Sequence, residues 1–177
     1  MAECSVRILP DPAIALVMAR HGASAAAARA AERAFGVPLP MEPRIVYGEE
    51  IALLWSGPAR WLVLAPDDQA QSEGGIEALL APVFAGTASV FEQSGSRVLF
   101  EVSGEGAAEA LARALPVDLH PGVFAPGHTA LCRANYVPLQ VWRAGVGATF
   151  VLAVPRSYAA GVSQMLSMAI LPREAPG

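Results

Sequence analysis

The chain has 177 residues, of which 54% are hydrophobic and only 16% are charged. Its net charge of −4 and its pI near 5.3 argue against a nucleic-acid-binding role, because phosphate binding needs a basic surface. The uncharged runs 145–155 and 157–172 are too short or too polar to make the span of about 20 apolar residues that a membrane requires, so no membrane role is expected.

The first half is predicted to contain one clear helix and a pair of short strands. Ser24 is predicted to cap an alanine-rich helix that Gly36 ends. Three prolines then favour an extended connector, because proline lacks the amide hydrogen that a helix or a ladder needs. The elements expected in chain order are a strand or short helix over 12–19, the helix over 25–35, the connector over 37–44, strands over 51–55 and 61–65, and a helix from Asp67 or Asp68 to about residue 83.

The second half shows clearer periodicity. Apolar residues from Ala107 to Leu115 recur at steps of three and four, which is typical of a helix with one face on a sheet. Ser157 is predicted to cap the last helix. The expected elements are strands over 88–93 and 97–102, a helix over 107–115, strands over 129–135, 139–143 and 149–154, and a helix over 158–170.

The order of these elements indicates the fold class. Strand pairs that are each followed by a helix predict an α+β fold, with antiparallel or mixed sheets and helices packed on one side. We expect a single domain over 1–177, with two halves, about 1–86 and 87–172, as the alternative organisation.

The side chains that usually perform catalysis do not form a recognisable set. A metal site built from Asp118, His120 and His128 lacks a standard ligand spacing, so loop histidines that bond to the backbone are the simpler interpretation. The adjacent pair Asp67 and Asp68 is interpreted as a helix cap. No G-x-S-x-G elbow occurs. We therefore expect no catalytic, cofactor-binding or metal-binding residue on this chain.

All twelve basic residues are arginine. The absence of lysine excludes Schiff-base chemistry, pyridoxal phosphate attachment and a Walker A loop. Cys4 and Cys132 are too few for a disulfide framework and suit a reducing cytoplasm, and the first residues lack the order of a secretory signal. Because soluble domains average about 25% charged residues, the apolar excess indicates either an alanine-rich core or a broad interface with another chain.

Several strings resemble the sarcosine oxidase γ-subunit family over about residues 56–170. The resemblance is carried by Trp61-Leu-Val-Leu-Ala-Pro66, Phe91-Glu-Gln-Ser-Gly-Ser-Arg-Val98, Leu115-Pro-Val-Asp-Leu-His-Pro121, Val141-Trp-Arg143 and Val154-Pro-Arg-Ser-Tyr158. It implies a fold similar to the folate-binding domain of glycine-cleavage aminomethyltransferases. It also implies a non-catalytic structural subunit of a flavoprotein complex that oxidises sarcosine or a related N-methyl amino acid, such as N-methylglutamate.

The same resemblance implies where the cofactors and partners lie. FAD, FMN, NAD and tetrahydrofolate are expected on large α and β subunits, and zinc on a small δ subunit, with none on this chain. Two alternatives stay open. One is a free-standing tetrahydrofolate-binding or one-carbon transfer protein, although the Asn-rich motif and catalytic aspartate of the aminomethyltransferases are not located here. The other is a homo-oligomer.

Two segments are expected to contact partners. The connector over 37–44 contributes Pro38 and Pro40. The loop over 121–127 presents an apolar tip, Val123 and Phe124, which would be costly to leave in water.

Overall fold

The computed structural model describes residues 4–66, 74–145 and 147–171, and these form two compact units. Unit A comprises 10–97 together with 127–129, and unit B comprises the described residues of 1–9, 98–126 and 130–177. The prediction of a single domain, with halves that divide near residue 86, stays a prediction.

Each unit contains one five-stranded sheet. The strands are β1 (Ser5–Ile8), β2 (Ala13–Ala19), β3 (Ile45–Tyr47), β4 (Ala52–Trp55), β5 (Arg60–Ala65), β6 (Ala88–Glu92), β7 (Arg97–Ser103), β8 (Thr129–Ala134), β9 (Val137–Arg143) and β10 (Thr149–Pro155). The helices are α1 (Ser24–Phe35), α2 (Gly75–Leu80), α3 (Ala107–Ala114) and α4 (Ala159–Ile170), with 3-10 turns at Ser94–Ser96 and Arg156–Tyr158.

Unit A has the strand order β3-β4-β5-β2-β6, with antiparallel pairing throughout. Alternate residues of β2 and β5 point to the same face of the sheet, and on this face Val17 and Val63 pack in a core with Ala27 and Ala31 of α1. The small alanine side chains let the helix lie close to the sheet. The opposite face of β5, with Leu62, is buried as well.

Unit B has the strand order β1-β7-β10-β9-β8. Its core joins Phe100 of β7 and Leu152 of β10 to Leu111 of α3 and Leu166 of α4. Both helices therefore contribute to the core on one side of the sheet. The prediction of an α+β fold, with antiparallel or mixed sheets and helices packed on one side, is confirmed.

The helix ends differ in part from the prediction. Gly36 ends α1 in the left-handed conformation, with φ of 73°, as expected. The predicted caps Ser24 and Ser157 are wrong, because α1 is preceded by Ala23 and α4 by Tyr158, and neither cap residue makes a side-chain hydrogen bond. The predicted cap at Asp67 or Asp68 lies outside the described residues.

Two strands are absent from the prediction. β1 pairs antiparallel with β7. Across this pair Arg7 forms a bidentate ion pair with Glu101, in which Nε donates to Oε1 at 2.7 Å and Nη2 donates to Oε2 at 3.1 Å. β3 pairs with β4, and the backbone N–H of Ile45 donates to the carbonyl oxygen of Gly127 at 2.8 Å. Both strands lie at a sheet edge.

Candidate interaction surface

Two of the three histidines, His120 and His128, take part in hydrogen bonds. The backbone N–H of His120 donates to Asp118 Oδ1 at 2.9 Å, and the N–H of Gly122 donates to His120 Nδ1 at 3.1 Å. In unit A, His128 Nε2 lies 3.1 Å from Arg44 Nη2. These contacts confirm the interpretation of His120 as a loop histidine that bonds to the backbone.

Within residues 4–66, 74–145 and 147–171, no group of three or more His, Cys, Asp or Glu side chains is arranged to hold a metal ion. The hypothetical metal site of Asp118, His120 and His128 is therefore not assembled. The carboxylate pair Asp67 and Asp68 lies outside the described residues. The prediction that no catalytic or cofactor-binding residue occurs stays a prediction.

Burial raises the pKa of both cysteine thiols. It raises the pKa of Cys132 from 9.0 to about 11. Burial also raises the pKa of Cys4, an effect that the charge of Arg113 partly opposes. A thiol with a raised pKa is a poor nucleophile at neutral pH, so neither cysteine has the low pKa of a catalytic thiolate.

The proline-rich connector is only partly exposed. Pro38 is exposed, whereas Leu39 and Pro40 are buried. The indole N–H of Trp61 reaches the connector and donates to the carbonyl oxygen of Pro40 at 2.7 Å. The connector is therefore attached to the core of unit A, and of the two prolines only Pro38 is placed to meet another chain.

Residues 121–126 of the predicted loop over 121–127 are likewise only partly exposed. Val123 is 58% exposed, but Phe124 is only 6% exposed and packs with Phe150 of β10, with ring centroids 6.4 Å apart. Arg143 Nη1 donates to the carbonyl oxygen of Phe124 at 3.0 Å and holds the loop in place. Phe124 thus lies in the core of unit B and is not a protruding tip. The interface assignments stay predictions, and these exposures favour Pro38 and Val123.

Other large apolar side chains are more exposed than the predicted ones. Tyr136 is 91% exposed and lies in the two-residue connection between β8 and β9. Both connecting residues are left-handed, with φ of 46° at Asn135 and 71° at Tyr136, a backbone conformation that favours glycine. The remaining exposed large hydrophobics of the described chain are Ile8, Met41, Tyr47, Leu79, Phe91, Val123, Leu131, Tyr158, Met168 and Leu171.

Unit A also contains an open groove of about 840 Å³. Its wall is formed by the end of α1, by the turn between β3 and β4, and by one residue of α2. The lining residues are Ala34, Phe35, Gly36, Val37, Tyr47, Gly48, Glu49, Glu50, Ile51 and Leu79. The groove is thus mainly apolar, and its charged lining residues are the two exposed glutamates.

Gly48 lies where the β3–β4 turn comes close to the C-terminal end of α1. A Cβ atom at Gly48 would lie 3.0 Å from the carbonyl oxygen of Phe35 and 3.3 Å from Ile51 Cγ2. The β3–β4 turn therefore lies so close to the end of α1 that a side chain at this position would fit only if its neighbours moved by a few tenths of an ångström. The prediction from sequence missed this groove, because nothing in the spacing of residues 34–37, 47–51 and 79 shows that they converge.

Comparisons with known proteins identify relatives. The model of the family described as "Sarcosine oxidase, gamma subunit family" matches residues 20–169. The sarcosine oxidase subunit gamma of Arthrobacter sp is 33% identical over 138 residues, which cover 77% of this chain and 65% of that protein. The same subunit of Corynebacterium sp. (strain P-1) is 32% identical over 121 residues, 67% of this chain and 58% of that protein. The matches span less than two thirds of the length of these relatives.

Two solved structures share the fold. A chain of heterotetrameric sarcosine oxidase from Corynebacterium sp. U-96 aligns with a TM-score of 0.80 at 21% identity, over 97% of this chain and 88% of that one. Aminomethyltransferase T of the glycine cleavage system from Bartonella henselae aligns with a TM-score of 0.70 at 19% identity, over 93% of this chain and 45% of that one. The predicted similarity to an aminomethyltransferase fold is confirmed. Among the described helices, none is long and apolar enough to span a membrane.

Proposed function

The chain belongs to the sarcosine oxidase γ-subunit family, and from this premise we propose that it is a non-catalytic structural subunit of a heteromeric oxidase or dehydrogenase. The substrate of the complex is sarcosine or a related N-methyl amino acid. FAD, FMN, NAD, tetrahydrofolate and zinc belong to its α, β and δ partner subunits, and the complex works in the cytoplasm. This chain contributes surface that holds the partners together.

The observation that supports this proposal is the exposure of large apolar side chains. Tyr136 at 91%, Met168 at 66% and Leu171 at 62% are exposed in the isolated chain. Exposed apolar side chains scattered singly are ordinary, but aromatic residues such as Tyr are favoured as anchors at interfaces. A subunit that buries such side chains only on assembly explains the apolar, charge-poor composition.

Co-expression with the neighbouring subunits of the host tests the proposal. We expect one complex on size-exclusion chromatography, with flavin absorbance that the other chains supply. The complex assembled without this chain should still show flavin reduction by the N-methyl amino acid but should dissociate or melt at a lower temperature. Turnover or tightly bound flavin in the isolated chain would contradict the proposal, as would a stable monomer that binds none of the subunits.

The absence of lysine makes mapping of the contact surface simple. An amine-reactive cross-linker meets no side-chain amine on this subunit, so a single introduced lysine becomes a specific probe. Met168→Lys should cross-link to a partner subunit if α4 faces it. Ala112→Lys, at an exposed position on α3, is the matched variant.

The tetrahydrofolate-binding alternative receives no specific support, because the likeness to aminomethyltransferase T shows the fold alone. Calorimetric titration of the isolated chain with tetrahydrofolate tests it. We expect no binding at micromolar concentrations.

A further inference from the structure

We propose that the groove of unit A receives a short apolar segment of a partner subunit that carries an arginine or lysine side chain. This inference rests on the proposed function and assigns a contact within it. The groove lies entirely within unit A, and every residue that lines it belongs to residues 34–37, 47–51 or 79.

The size of the groove suits a peptide segment. Its volume of about 840 Å³ lies in the upper part of the range of about 300–1,000 Å³ that is typical of pockets for drug-sized ligands. Several side chains of an extended segment occupy a comparable space. The groove is open to solvent, so a segment that belongs to a larger protein can enter it without being threaded through.

The lining of the groove supplies apolar contact. Leu79 is 43% exposed and Tyr47 is 54% exposed, although both are large side chains with apolar surface. Phe35 and Ile51 complete the apolar wall, and Pro38 follows the lining residues directly along the chain. Covering Leu79 and Tyr47 with an apolar side chain removes this surface from water, which is favourable by about 25 cal/mol per Å² buried.

The charge of the groove indicates which sign of charge a bound segment should carry. Glu49 and Glu50 are its charged lining residues and both are exposed. The last turn of the twelve-residue helix α1 also lines the groove, and the carbonyl groups at a helix C-terminus carry a partial negative charge. An apolar segment with a guanidinium or ammonium group complements both features. A segment with a carboxylate would be repelled.

Charge reversal in the groove tests this assignment in the assembled complex. We expect Glu49→Arg to weaken binding to the purified partner subunits by about tenfold at about 50 mM salt, and the loss should shrink at about 500 mM salt because screening weakens the repulsion. Glu105→Arg makes the same change of charge at an exposed position outside the groove and should leave the affinity unchanged. Leu79→Ser should weaken binding at both salt concentrations.

Hydrogen exchange supplies a second readout. In the wild-type complex, the backbone amides of residues 47–51 should exchange more slowly than in the free chain. If the complex forms but these amides and the affinity of Glu49→Arg are unchanged, the groove assignment is wrong while the proposed function stands. If no complex forms, both fail. If Glu105→Arg weakens binding equally, or if the free chain dimerises in a way that Glu49→Arg abolishes, the assigned occupant is wrong.

Discussion

The indole N–H of Trp61 and the carbonyl oxygen of Pro40 form a buried hydrogen bond of 2.7 Å that links β5 to the proline-rich connector. Proline has no backbone N–H, so a segment rich in proline depends on its carbonyl groups for attachment to the core. Trp61 provides that attachment. The segment beside the groove is therefore fixed by a residue on a central strand.

Replacement of Trp61 by phenylalanine should reveal the strength of this link. The variant leaves the buried carbonyl of Pro40 without its donor and removes part of a packed side chain, so we expect a loss of roughly 2–4 kcal/mol in the free energy of unfolding. Urea denaturation followed by circular dichroism measures it. An unchanged midpoint would show that water or another donor replaces the indole.

Phe124 and its neighbour Val123 should respond differently to truncation. Phe124→Ala removes a ring that packs in the core of unit B, and we expect the free energy of unfolding to fall by about 3–5 kcal/mol. Val123→Ala, at an exposed position, should change it by less than about 0.5 kcal/mol. A Phe124→Ala chain that is as stable as the wild type but fails to assemble would instead show that Phe124 contacts a partner subunit.

The β8–β9 connection should gain stability from glycine. Tyr136 has φ of 71°, which costs an L-residue about 1–2 kcal/mol, and Asn-Gly is the preferred pair for a two-residue hairpin connection. We expect Tyr136→Gly to raise the free energy of unfolding by about 1 kcal/mol. Tyr136→Ala removes the same ring but keeps Cβ, so it should give no gain. Equal effects of the two variants in thermal denaturation would exclude backbone strain as the cause.

Two glycine-to-alanine replacements should act in opposite directions. Gly161 lies within α4 with nothing within 4 Å of an added Cβ, so Gly161→Ala should stabilise the chain by about 0.5–1 kcal/mol through helix propensity. At Gly48 the added methyl group meets the carbonyl oxygen of Phe35 at 3.0 Å. Gly48→Ala should therefore cost about 1–3 kcal/mol by overpacking. A stabilised Gly48→Ala variant would show that the β3–β4 turn moves away freely.

Cys132 should make stability depend on alkaline pH. Its pKa is about 11 in the folded chain against 9.0 for the unperturbed thiol, so the folded chain holds the proton more tightly. The contribution of the protonated Cys132 thiol to the stability of the fold is fully present below pH 9.0. It is lost as the pH rises toward about 11, because the unfolded chain then binds fewer protons than the folded chain.

The measurement compares the wild type with Cys132→Ala. The wild type should lose more stability than the variant between pH 9.0 and about 11. All other ionisable groups are common to both proteins, so the difference between the two profiles isolates Cys132. Parallel profiles would mean that the thiol ionises in the folded chain as it does in water.

The elements that the sequence predicted well are those whose own periodicity determines them. The strand β5 is a continuous apolar run, and α3 carries apolar residues at steps of three and four. Both were found close to their observed bounds. The left-handed Gly36 was also predictable, because a glycine after a helical pattern is the usual way to end it.

The elements that were missed depend on contacts distant in sequence. β1 is short and mostly exposed, and it exists as a strand because β7 pairs with it. β6 and β7 follow one another along the chain, yet they belong to different sheets. The same limit applies to the candidate surface. The sequence of an apolar tip such as Val123 and Phe124 does not show which side chain turns inward. In the structure it is Phe124, which packs against the ring of Phe150.

The arrangement of β1 has a consequence for synthesis on the ribosome. Arg7 of β1 pairs with a residue 94 positions later, whereas unit A is formed almost wholly by the continuous stretch 10–97. Unit A can therefore fold before β1 has paired with β7. The sheet of unit B is completed only after β10 has left the ribosome. A chaperone or partner that engages the nascent polypeptide would meet the groove before the exposed ring of Tyr136.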